Sequence, residues 1–181
     1  MHPLIDNELY QAISYAKSID EHTGREMLQQ FQQTQPALAQ TLLEIFPSII
    51  ASQEQNMAYL FMDLCFDVLC IFQKAFGPLP SSPLDPNWLA NQSMLLETEL
   101  HSLLNGQNVD PKIKAQLQKR MQARVEGDNP QPALLKILLE TIDDFAAESP
   151  ARVPATQLTQ TLMTLAVRLI AQMYMPSVKA H

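Results

Sequence analysis

Glycine is scarce in this chain, with four in 181 residues. No stretch alternates apolar and polar residues in the way a half-buried strand does. Leu, Ala, Gln and Met dominate instead, which is the composition of an all-α protein. Cysteine is nearly absent. Cys65 and Cys70 stand five apart on what reads as one helix, so they point in different directions and cannot bridge each other. They read as two buried, reduced thiols of a cytoplasmic protein, and their spacing matches no metal-ligand pattern.

Several motifs are also missing. There is no apolar run with a basic flank at the start, so no signal peptide is expected. HExxH, a P-loop and a Gly-rich strand-to-helix turn are all absent. The four His are scattered, and no Ser or Cys has a His–acid set that the sequence can put beside it. The expectation is a non-enzyme with no catalytic residue, no metal and no cofactor.

Positive charge is in short supply too. Twelve Lys and Arg face nineteen Asp and Glu, a net −7, which argues against general nucleic-acid binding. The imbalance is local. Residues 1–76 hold nine acids and three bases, whereas residues 87–181 hold nine of each, and Asp85 supplies the last unit.

What the chain does have is one long apolar run, Asn56 to Phe76, free of Gly and Pro. As a helix it is about 30 Å long, and apolar residues surround most of it. Its polar exceptions Asn56, Asp63, Asp67 and Lys74 fall at steps of seven, four and seven, one narrow stripe. Two Asp near the middle, at about 2.5–3.5 kcal/mol for a central charge, argue against a membrane span. The run reads as the core helix of the molecule, about 48–76 with its lead-in.

Proline punctuates the rest. A first helix runs from Asp6 to about Ile19, with Leu9, Ile13 and Ala16 inward. Thr23 and Glu26 form a capping-box pattern, so a second helix is expected to begin near Gly24. Its Gln-rich face is a solvated surface. Pro36 opens a third helix, expected to end near Phe46 before Pro47-Ser48. Residues 77–86, GPLPSSPLDP, cannot continue a helix. They read as a stiff connector, with a PxxP ligand as the other reading. Beyond it come a helix from Asp85-Pro86 to about Leu104, one over 111–126, one over 132–147 and a last one over about 155–174. The total is seven or eight helices.

Residues 35–44 (QPALAQTLLE) and 131–140 (QPALLKILLE) agree at seven of ten positions. Beyond this echo, setting Met62 beside Met163 aligns the two most apolar helices. One reading is a duplicated four-helix unit, 1–76 and 87–181, within one helical domain. The other is chance agreement between Leu- and Ala-rich helices. Under duplication Asp67 falls opposite Arg168, and the polar stripe of the last helix (Gln157, Thr161, Thr164, Arg168) could face that of the central one in a buried ion pair. Otherwise each stripe is an exposed edge.

Two candidate sites follow. Tyr59, Asp63, Asp67 and Arg168 would line a pocket for a small apolar ligand, walled by the Met and aromatic residues of the 56–76 run. Lys112, Lys119, Arg120 and Arg124 form a basic patch suited to an acidic protein surface, a partner's or that of a second copy. Glu97 and His101 are four apart and read as a surface pair, since the di-iron Glu-x-x-His spacing is not met. The leading functional expectation is an adaptor, chaperone-like or regulatory module that self-associates. The alternative is a binder or enzyme with an apolar pocket tipped by Asp63 and Asp67.

Overall fold

A computed structural model describes residues 1–87, 89–90, 112 and 129–175. These residues are helical with no strand among them. The elements are α1 (Asp6–Ser18), α2 (Glu21–Thr34), α3 (Pro36–Gln40), a π-helical turn (Thr41–Ile45), α4 (Phe46–Ala51), α5 (Gln55–Phe76), α6 (Pro132–Ala147) and α7 (Thr156–Met173). A 3-10 turn, Val153–Ala155, leads into α7. The remainder of the helix expected from Asp85-Pro86 to about Leu104, the Glu97/His101 pair and all of the 111–126 helix except Lys112 lie outside the described residues.

Three boundaries differ from expectation. The second helix starts three residues early, because Asp20 is its cap: Asp20 Oδ1 accepts the Thr23 amide at 2.9 Å. Thr23, the expected cap, is already inside the helix and donates its hydroxyl to Asp20 Oδ2. The third helix does not stop at Phe46. The Phe46 amide reaches back five residues to the Thr41 carbonyl, and this widened turn runs straight into α4. Pro47 has no amide to donate, and its ring would crowd the carbonyl four residues back in a regular helix. The π turn relieves both conflicts. The break falls instead at Ser52–Glu54, where Glu54 Oε2 accepts the Met57 amide at 2.7 Å and caps α5. The central helix therefore begins at Gln55, not at 48.

The core lies where α5 packs on α1, α4 and α7, and α6 closes on α7. α7 is the most enclosed element. Thirteen of its eighteen residues are buried, against ten of twenty-two in α5. Thr161 and Thr164, expected on an edge, are buried. Their hydroxyls donate to the carbonyls of Gln157 and Gln160, one turn back, so neither brings an unpaired polar group into the core. At the far end of α5, Gly77 takes φ 98°, a left-handed conformation that ends the helix. Its carbonyl accepts from Tyr174 Oη at 3.3 Å, and Phe72, Phe76 and Tyr174 pack ring to ring beside it.

Pro36 and Pro132 each occupy the first turn of their helix, and each follows a buried Gln with nearly the same backbone, φ/ψ −132/58° for Gln35 and −132/68° for Gln131. Neither side chain caps its own helix. Gln35 accepts the Leu84 amide at 3.0 Å and donates to the carbonyls of Pro80 and Ser82. Gln131 accepts the Leu4 amide at 2.8 Å and donates to the His2 carbonyl. Each thereby fixes a distant non-helical segment.

Candidate functional site

α1 and α6 stand on either side of α5 and leave a groove between them of about 130 Å³. Its floor is Leu64, Asp67 and Ile71 of α5. Ile13 and Lys17 come from α1, and Ile137 from α6. The floor follows from helical spacing: 64, 67 and 71 differ by three and four and so share a face. Lys17 lies in the last turn of α1, where a cation complements the helix dipole. Thr141 also borders the groove but turns its hydroxyl to its own helix, donating to the Ile137 carbonyl at 2.8 Å. Asp67 is left as the principal hydrogen-bonding group on an otherwise aliphatic floor.

Asp67 is half-buried and makes no hydrogen bond or ion pair among the described residues. Burial raises its carboxyl above the usual carboxylate range, the charge of Asp63 adds to the rise, and Lys17 opposes it. Asp63, one turn away, is exposed and outside the groove. Tyr59 is 58% exposed and points elsewhere. Arg168 is half-buried on α7 and makes no ion pair with Asp67. Of the four pocket residues expected from sequence, only Asp67 lines the groove. Lys17 and the α6 wall were missed, because nothing in the local pattern of α5 says which helices flank it.

Of the basic patch, Lys112 is helical and exposed, and Lys119, Arg120 and Arg124 lie outside the described residues. Cys65 and Cys70 are free and buried. Burial raises both thiols, Cys70 to about 12 with help from Asp67, so both stay protonated and unreactive at neutral pH. Among the described residues no cluster of three or more His, Cys, Asp or Glu could hold a metal ion. Nor is any described helix long and apolar enough to cross a membrane.

Comparison with protein-family models, with curated proteins and with solved structures finds no match to the chain.

Proposed function

We propose that this is a non-enzymatic cytoplasmic helical protein that acts through protein contacts, as an adaptor, chaperone-like or regulatory module. Self-association follows from laying the 111–126 stretch of one copy into the α1–α5–α6 groove of another. The observation that carries this reading is Asp67, a half-buried acid on an aliphatic floor with no hydrogen bond or ion pair among the described residues, its charge offset in part by Lys17. A complementary occupant is a helix with a narrow apolar line and bases beside it. In sequence, Ile113, Leu117, Met121 and Val125 follow one another at steps of four, and Lys119, Arg120 and Arg124 lie among them. The net −6 of residues 1–76 favours the same encounter. Reciprocal docking closes a two-fold dimer.

The same reading includes duplication of a four-helix unit. It is supported by the shared backbone of Gln35 and Gln131 and by their parallel contacts to Leu84 and Leu4. Each glutamine reaches the segment that precedes the first helix of the other half. The two free cysteines support a reducing compartment.

The test is sedimentation velocity across concentration and salt. A mass that rises with concentration, falls with salt, and drops in Asp67→Lys or in Lys119→Glu/Arg120→Glu supports the reading. Partial recovery is expected when the reversed charges are combined. A particle that stays monomeric, or that ignores both reversals, overturns it.

The other reading, a small apolar ligand beside Asp67, is weighed down by size. The groove holds about 130 Å³, below the roughly 300–1,000 Å³ of most small-molecule sites.

A further inference from the structure

Gln35 and Gln131 read their targets alike. Each accepts the amide of a leucine and donates to the carbonyl two residues before it. For Gln131 these are Leu4 at 2.8 Å and His2 at 2.9 Å; for Gln35 they are Leu84 at 3.0 Å and Ser82 at 2.9 Å. The residue between is proline in both, Pro3 and Pro83. Proline has no amide to satisfy and a fixed φ, so the backbone spanned by the glutamine is stiff before it is bound. The first position differs, His in one and Ser in the other, and each glutamine touches only its carbonyl. Two different sequences thus meet one rule, Xaa-Pro-Leu with a defined backbone.

The two grips differ in what else ties their occupant. Gln35 adds a third bond, to the Pro80 carbonyl at 3.0 Å, on a segment that continues from α5. The occupant of Gln131 precedes α1; its His2 also has an exposed contact of Nε2 with Glu8 Oε2 at 3.2 Å and meets the Phe76 ring edge-on, while Glu8 Oε2 separately accepts the Ile5 amide at 3.3 Å and so holds the start of α1. Ile5 itself is 65% exposed. When residues 2–4 leave the slot they give up these exposed His2 contacts, and the Ile5 bond remains to hold the start of α1.

We propose that the Gln131 slot is a binding site for an extended Xaa-Pro-Leu segment of a partner protein, occupied in the free chain by its own His2-Pro3-Leu4. The resident acts as an internal competitor. Its departure exposes the Gln131 amide and the cavity of Leu4, which is 4% exposed when seated. A partner segment restores both contacts.

The experiment uses the full chain and a fluorescent peptide containing Ser-Pro-Leu-Asp. Leu4→Ala weakens the resident, so the peptide should bind this variant at least about tenfold more tightly than the unsubstituted chain, since apparent affinity scales with the open fraction. Gln131→Leu in the same background should abolish binding, as should a peptide with Ala in place of its Leu. A folded Leu4→Ala chain that does not bind the peptide overturns the proposal. Binding that survives Gln131→Leu also overturns it, because the peptide then sits elsewhere. If either variant fails to fold by circular dichroism, hydrogen exchange on the unsubstituted chain decides. Excess peptide must speed exchange or shift the resonance of the Leu4 amide, and an unchanged Leu4 amide refutes the site.

Discussion

Gly24 of α2 packs against the outer end of the Phe66 ring of α5, so close that a Cβ on Gly24 would sit 3.2 Å from Phe66 Cζ. The glycine is inside a helix, where it is worth about 1 kcal/mol less than alanine. It is kept by the ring, not by its backbone. Gly24→Ala therefore sets a helix gain against a tight contact with the outer end of a half-buried side chain. The expected net change in urea unfolding is within about 1 kcal/mol of zero. Gly24→Leu has no room and should cost about 1–3 kcal/mol by forcing α2 away from α5.

Gln35 makes a sharper case, because its amide both donates and accepts. Gln35→Leu strips partners from the Leu84 amide and from the carbonyls of Pro80 and Ser82. Leaving such groups unpaired should cost about 1–3 kcal/mol. Gln35→Glu keeps the acceptor for Leu84 and sets a carboxylate against two carbonyls. Protonation restores a donor, so the new carboxyl has a folded-state pKa above its unfolded one. That variant should be weakest at neutral pH and recover as pH falls through the raised value, while Gln35→Leu stays flat over the same range. Equal pH profiles for the two would mean that the side chain is not holding the 80–84 segment.

Much of this architecture is legible in local chemistry. Pro36 and Pro132 mark helix starts because a first-turn proline loses no bond, and both do open helices. Pro47 misleads because the π turn ahead of it removes the conflict that would have broken the helix, and no residue type announces such a turn. The Thr23 pattern misleads because Asp20 is the better placed acceptor. The stripe on α5 correctly marks its less buried side, but the spacing of Asp63 and Asp67 is silent on which of them α1 and α6 enclose. The glutamines were hidden for a different reason. Gln reads as a surface residue, and its burial at Gln35 and Gln131 depends on segments 49 and 127 positions away. The repeated Gln-Pro was visible; its use was not.

The proposed duplication sets Met62 beside Met163, yet Met163 is fully buried and Met62 is 37% exposed. Sequence likeness carries over the helix and not its surroundings. Met163→Ala should cost about 2–5 kcal/mol by opening a cavity in the most enclosed helix. Met62→Ala should cost less than about 1 kcal/mol. Chemical denaturation of the pair distinguishes the enclosed position on α7 from the exposed one on α5. Comparable losses at the two positions would contradict the burial described here.

Asp67 gives the fold a pH dependence of definite sign. Its carboxyl is raised from 3.8 chiefly by burial, with Asp63 adding and Lys17 opposing. The native state therefore holds this proton to higher pH than the unfolded chain does. Between 3.8 and the raised value the native state binds more protons, so stability falls as pH climbs through that window. Above it the full cost of a half-buried charge is present; below 3.8 there is none. Asp67→Asn removes the charge and nearly preserves the shape. It should be more stable than the unsubstituted chain at pH 7, and the two stabilities should converge as the solution is acidified. Lys17→Met removes an opposing charge and should widen the gap at pH 7. If Asp67→Asn instead weakens the protein at neutral pH, the carboxylate is held by a favourable partner, and the groove floor does not offer a docking basic helix an acid whose burial is only partly offset.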